Sequence, residues 1–283
     1  MDHKLTPQNL NRWIKNQDQE TLIMGIVNIT PDSFSDGGKY YTIESAYNHS
    51  LKLIDDGADI IDIGGESSRP GALPITLKEE LDRTIPLITK IHNNFPNTII
   101  SIDTTKSEVA EEAILSGANI INDISGLTND NRMVRVVSKY NTPVVIMHMK
   151  GNPKNMQNHP VYNDLIGEIK LFFENQIELA AKKGIHKDQI ILDPGIGFGK
   201  SYENNFQLIN QLDKFCKLGF PILIGPSRKS FIGEALNEGI ENRLEGTAAA
   251  VTAGIIRGAR IVRVHDVKQI KRVVKITDLI RKA

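Results

Sequence analysis

Four short aliphatic runs end in, or carry, an acid or an amide. Asp59 to Ile63 carries Asp62, Thr98 to Ile102 leads into Asp103, Asn119 to Ile121 into Asn122, and Ile190 to Leu192 into Asp193. Burying such a polar group without a partner costs roughly 2–7 kcal/mol, so something polar must meet them. Carboxylates in an apolar surround suit a flat heterocycle with adjacent ring N–H and amino groups, which Asp accepts in bidentate fashion. The competing reading is capping, since Asp103-Thr104-Thr105 ahead of Lys106 to Leu115 also looks like a helix start. Four such groups at run ends are hard to explain by capping alone.

Cations lie further along the chain. Gly225 to Ser230 reads GPSRKS just before a helix start, and free N–H groups there add to the charge of Arg228 and Lys229 to favour an anion. Lys229 also admits a second reading, as a Schiff-base lysine. Arg263 and His265, in RVHDV, alternate on an extended segment, so both can face one side as a diphosphate cradle. His265 on its own would read as structural.

Two loops are built to bend. Leu22 to Val27 is aliphatic, then Asn28, Thr30, Asp32, Ser33, Ser35 and Asp36 crowd around Pro31 and before Gly37-Gly38. The second loop, Gly64 to Ala72, reads GGESSRPGA and can fold over a ligand, with Arg69 as part of a lid and Glu66 as a partner for the loop's own backbone. Taken alone, Arg69 is a solvated charge. In Leu192 to Lys200 (LDPGIGFGK) the glycine spacing matches no nucleotide fingerprint. It reads as a turn that brings backbone and Phe198 to a ring, with Lys200 outside or pairing. No His, Cys or Glu cluster has zinc spacing, and the hard oxygens suit Mg²⁺ entering with a diphosphate and water, with Asn28 a better ligand than Asp32.

These residues need elements that aim them at one place. Further short runs occur at Val144 to Met147 (then His148), Ile222 to Ile224 and Ile261 to Val262, which makes eight with the opening strand. Between them lie helical periodicities such as Ile43 to Asp56, Leu77 to His92, Ser107 to Leu115, Tyr162 to Lys183, Asn205 to Leu218 and Asn242 to Arg257. Eight β-then-α units predict an α/β fold of the (β/α)8 TIM barrel type, a single domain over 21–283 whose polar strand ends converge on one rim. A doubly wound sheet is the alternative, but it has no reason to give every strand a polar terminus. Residues 1–20 are expected to form a helical cap segment, with Leu10, Trp13 and Ile14 against the far end.

The chain has 283 residues, close to the ~250 typical of such barrels. Lys plus Arg and Asp plus Glu stand at 34 each, which argues against nucleic acid or a membrane surface as partner. Cys216 is alone, so no internal disulfide forms, and its thiol reads as packing. The first twenty residues lack the apolar core of a secretory signal, and no stretch reaches the ~18 apolar residues of a membrane span. A cytoplasmic protein is the expectation.

The segments MGIVNITPDSFSDGG, IIDIGGESSRPGA, SIDTTK, INDISG, MHM, LDPGIGFGK, SRKSFIG and VRVHDV, in that order from Met24 to Val267, resemble the dihydropteroate synthase family. The resemblance implies a β/α barrel, usually a homodimer, that joins 6-hydroxymethyl-7,8-dihydropterin diphosphate to 4-aminobenzoate and releases diphosphate. By motif it implies Asn28 as the Mg²⁺ ligand. Asp103, Asn122, Asp193 and Lys229 would hold the pterin, with Met147 packed on it. Arg263 would stack near the ring and, with His265, hold the diphosphate. Phe34, Ser68, Arg69, Pro70 and Ser230 would form the aminobenzoate site, where sulfonamides compete in this family. Ser68 stands where the family commonly has Thr.

The chemistry this implies is an ionising, SN1-like substitution at the pterin methylene, with Asp36 of the first loop helping to stabilise the cation. Two other classes share parts of the pattern. A corrinoid-type pterin methyltransferase would have the strand-end acids but no need of Ser67 to Pro70 or Ser227 to Ser230, and a non-catalytic pterin-binding scaffold would bind without turnover.

Overall fold

The computed structural model describes residues 5–16, 20–30, 43–69, 71–152, 154, 156 and 160–283. Eight parallel strands close into a barrel in chain order: β1 (Leu22–Asn28), β2 (Ile60–Gly64), β3 (Ile99–Asp103), β4 (Ile120–Asp123), β5 (Val144–Met147), β6 (Ile190–Asp193), β7 (Ile222–Ile224) and β8 (Ala259–Val264). β1 pairs with β8 as well as with β2, so no edge is left open. The expected single-domain TIM barrel is therefore what forms.

Helices follow the strands. The chain first makes a short α1 (Leu10–Lys15), and then α2 (Ile43–Asp55), α3 (Leu77–Asn94), α4 (Ser107–Leu115), α5 (Met133–Tyr140) and α6 (Leu165–Lys182) each cross back between strands. α7 (Tyr202–Asn210) and α8 (Asp213–Cys216) share one crossover, α9 (Ser230–Leu236) and α10 (Leu244–Ile256) share the next, and α11 (Val267–Lys282) closes the chain. Capping sets several boundaries. α6 starts at Leu165, not Tyr162, because the Asp164 carboxylate accepts the Gly167 N–H at 3.0 Å. The single helix expected over 205–218 is two, turning at Gln211 so that Leu208 and Leu212 both reach the core.

The core has two storeys. Outward-facing strand residues such as Ile23, Ile61, Ile100, Val144 and Val262 pack with the inner faces of the helices. Inside the barrel, Leu22, Met24, Ile60, Ile99, Ile120, Val145, Ile191, Leu223 and Ile261 form a separate apolar plug, sealed from below by Leu10, Trp13 and Ile14 of α1. Closure is reinforced where Thr21 meets α11: its N–H and hydroxyl donate to Asp278 Oδ2 and Oδ1, each at 2.8 Å.

Candidate functional site

Strand side chains alternate between faces, so a residue two positions after a plug residue points into the same lumen, one storey higher. Counting from the plug gives Asp62 above Ile60, Ser101 and Asp103 above Ile99, Asn122 above Ile120, Met147 above Val145, Asp193 above Ile191, and Arg263 then His265 above Ile261. Met147 apart, this upper storey is polar where the lower one is apolar. In a barrel, the mouth at the carboxyl ends of the strands is where such a layer becomes a site.

Arg263 is its hub. Its Nε donates to Asp62 Oδ2 at 2.6 Å and its Nη2 to Asp103 Oδ2 at 2.8 Å, a planar guanidinium spread across two carboxylates. Asp62 Oδ2 also accepts from Asn122 Nδ2 at 3.2 Å. A carboxylate only accepts, so the Asn122 amide turns its nitrogen toward Asp62 and its oxygen away. Burial pushes the Asp103 carboxyl well above the usual range, with Arg263 pulling it back. The capping alternative for Asp103 does not hold. The start of α4 is served by Thr104 Oγ1, 3.2 Å from the Lys106 N–H, and by Asp130 Oδ2, 3.1 Å from the Ser107 N–H.

Asp193 and Lys229 face the same group. Asp193 Oδ1 accepts the Gly195 N–H at 2.7 Å, and burial raises its carboxyl to about 6 against the pull of Lys200, Lys229 and Arg263. The Lys229 ammonium lies 3.9 Å from the centre of the Phe198 ring. Burial and the Arg263 charge lower it to about 8. Phe198 and Met147 form a small apolar wall with Met156. Lys200 is not outside: its Nζ is buried between His148 Nδ1 and the His148 carbonyl, both at 2.9 Å. The glycines around it allow this approach. A Cβ on Gly195 (φ 69°) would stand 2.0 Å from the His148 oxygen.

The two adjacent cations of SRKS divide. Arg228, at φ 57°, turns away and donates from Nε and Nη2 to Asp266 at 2.9 and 2.6 Å. Lys229 alone turns inward, beneath Gly197. Arg263 and His265 share a side of the chain but take different partners. The His265 imidazole lies against Ser227 Oγ, and burial with Arg263 and Arg228 lowers it to about 3, so it acts as a neutral hydrogen-bonding group.

Around the rim, Ser230 is exposed at the first turn of α9, beside a hollow of about 420 Å³ that Gly197, Lys200 and Phe231 also line. Ser68 is half-buried and shares a cavity of about 20 Å³ with Asp103 and Lys106, while Arg69 is exposed. Phe34, Asp36 and Pro70 lie outside the described residues, as does Asp32. Asn28 ends β1 opposite Gly64, half-buried. Among the described residues no three His, Cys, Asp or Glu side chains gather to hold a metal ion. A single amide oxygen at a strand end fits Mg²⁺ that takes most of its shell from diphosphate and water. Volume alone does not find the site. A larger hollow of about 500 Å³ lies at the opposite end, lined by Leu5, Gly57, Phe95 and others, and its charged pair Asp59–Lys271 closes on itself at 3.4 Å.

Asp62 stands out in the sequence as an acid inside an aliphatic run, but that it aims both Arg263 and Asn122 shows only in the fold. The His148–Lys200 pair is likewise a product of the fold, and its signal in the sequence is a histidine at a strand end and a lysine among glycines. No described helix is long and apolar enough to cross a membrane.

Residues 24–265 match the pterin binding enzyme family. The chain is 47% identical over 96% of its length to the dihydropteroate synthase of Synechocystis sp., covering 92% of that protein. The solved structure of Yersinia pestis dihydropteroate synthase in complex with a sulfonamide drug aligns with a TM-score of 0.90 at 40% identity, over 96% of this chain and 98% of that one. That of Xanthomonas albilineans dihydropteroate synthase in complex with 7,8-dihydropteroate aligns with a TM-score of 0.85 at 38% identity, over 95% and 96% of the two chains.

Proposed function

The chain belongs to the dihydropteroate synthase family, transferases of folate biosynthesis, and on that premise we propose that its barrel mouth grips the ring of 6-hydroxymethyl-7,8-dihydropterin diphosphate while 4-aminobenzoate displaces the diphosphate. The observation that carries this is the gathering of Asp103, Asp193 and Lys229 around the Arg263 guanidinium, with Asn122 joined to it through Asp62, at one end of the lumen. Three acceptors, the two carboxylates and the outward Asn122 oxygen, match a ring edge of N–H and amino donors. Lys229 supplies a donor for ring oxygen or nitrogen, and Met147 and Phe198 supply the apolar face. The complexes of the two structural relatives, with a sulfonamide drug and with 7,8-dihydropteroate, support both halves of this substrate pair.

The substitution follows an ionising path. The bond between the pterin methylene and the diphosphate oxygen breaks with its electron pair leaving on the diphosphate, and the dihydropterin ring delocalises the resulting cation. Arg263 and the Nε2–H of His265 stabilise the departing charge, the largest kind of catalytic contribution. The neutral arylamine nitrogen then forms the new C–N bond and releases its proton to solvent or to the diphosphate, so no strong base is required. Asp36 is assigned to cation stabilisation, and Phe34, Ser68, Arg69, Pro70 and Ser230 to the aminobenzoate and to excluding water. Asn28 would hold Mg²⁺, which when bound screens the charge of the diphosphate.

A cytoplasmic homodimer completes the reading. Ile276, Leu279 and Ile280 recur at helical spacing on α11 and are 58%, 60% and 62% exposed, an apolar stripe suited to a second copy. The test of the whole is to incubate the purified protein with the pterin diphosphate, 4-aminobenzoate and Mg²⁺, omitting each in turn. Dihydropteroate should form only in the complete mixture. Tight pterin binding without product would overturn the enzymatic reading in favour of a scaffold, and Asp193→Asn with unchanged pterin binding and turnover would overturn the site.

A further inference from the structure

The loop from Gly65 to Thr76, which carries Ser68 and Arg69, contains no helix or strand among its described residues, so side chains must hold it. Glu66 ties its two ends: its Oε2 accepts the Ile75 N–H at 3.2 Å, nine residues on. The same oxygen accepts from Lys106 Nζ at 2.6 Å, and Lys106 reaches on to Glu80 Oε2 of α3 at 2.5 Å. Arg83, also on α3, donates to the Gly65 carbonyl at 2.7 Å. Glu80 is only 1% exposed, which makes the lysine a charge that α3 needs as much as the loop does.

Lys106 stands at the N-cap position of α4, three residues after Asp103. The cavity of about 20 Å³ between them is walled by Ser67, Ser68, Asp103 and Lys106 together. One short turn therefore ends a strand in a pterin-facing carboxylate and clamps the loop assigned to the amine. We infer that Lys106, acting through Glu66, is a positioning residue for the 4-aminobenzoate half of the site, holding the second loop against the β3 end. This rests on the proposed function above. Burial pushes the Lys106 ammonium down, yet its two carboxylates more than offset that and hold it protonated.

A positioning role of this kind splits the two substrates. Glu66→Gln loosens the clamp while leaving Lys106 paired to buried Glu80, and it should raise KM for 4-aminobenzoate about fivefold to tenfold with KM for the pterin diphosphate within twofold. Lys106→Met should do the same or more, and Lys106→Arg should recover most of the loss. Thermal melts run alongside, so that a Lys106→Met protein that fails to fold leaves Glu66→Gln and Lys106→Arg to decide. Equal changes in both KM values, or no change in the Glu66→Gln protein, overturn the inference. A wild-type protein that makes no dihydropteroate instead overturns the function on which it rests.

Discussion

Ser227 and His265 bind each other twice. The Ser227 Oγ accepts the His265 backbone N–H at 3.2 Å and stands 3.0 Å from the ring Nδ1. When the Ser227 hydroxyl donates to Nδ1, the ring carries its own proton on Nε2, and this is the tautomer that the proposed diphosphate contact uses. The serine thus holds the ring in place from two sides, and with it the direction in which the free nitrogen of His265 points. Ser227→Ala frees the ring to rotate and should lower kcat about fivefold, on the order of 1 kcal/mol, with little change in Tm. Steady-state kinetics with a parallel melt check this, and unchanged kcat would remove His265 from the diphosphate.

The pH profile has two limbs with different owners. Asp193 accepts a pair of N–H donors with both oxygens and full charge only when ionised, and its carboxyl sits at about 6, so kcat/KM for the pterin diphosphate should fall as pH drops through that value. Lys229 donates with the help of a positive charge only when protonated, and its ammonium sits at about 8, so the rate should fall again as pH climbs past it. Asp103, also raised, adds to the acid side. Lys229→Arg keeps a charge at all accessible pH and should abolish the alkaline limb while lowering the plateau. A profile flat from pH 5.5 to 9 in the wild-type protein would contradict both assignments.

Gly195→Ala introduces a methyl group 2.0 Å from the His148 oxygen at a residue held at φ 69°. The loop cannot absorb both strains, and a loss of about 2–4 kcal/mol in denaturant unfolding is expected. Because the Gly195 N–H is the donor that orients Asp193, pterin affinity should fall in the same variant. Wild-type affinity in a destabilised protein would separate the turn from the site.

Asp278 offers the opposite result. It takes both donors of Thr21 where the barrel's last helix meets its first strand, far from the mouth. Asp278→Ala leaves those donors buried and unpaired and should destabilise by about 1–3 kcal/mol with both KM values unchanged.

Much of this was legible in the chain because strand and helix write different periods. The eight aliphatic runs gave the barrel, and the polar residue closing each run gave Asp103, Asn122, Asp193 and Arg263. Two things were not written locally. That Arg228 would turn out to Asp266 while Lys229 turned in depends on a positive φ at Arg228 and on a carboxylate 38 residues on. The Lys106 clamp joins Glu66, Glu80 and Lys106 from three separate segments, and nothing in any one of them marks the others. Helix starts slipped by up to three residues where a cap overrode the apolar spacing, as Asp164 does for α6 and Ser201 for α7.

Trp13 and its neighbours close the lumen from beneath, so the polar layer above them can be reached only from the mouth, as in a blind well. Such a vessel fills from the bottom. On the proposed function, the bicyclic ring would sit deepest and would arrive before the amine that lies over it, and the joined product would leave by the way its parts came in.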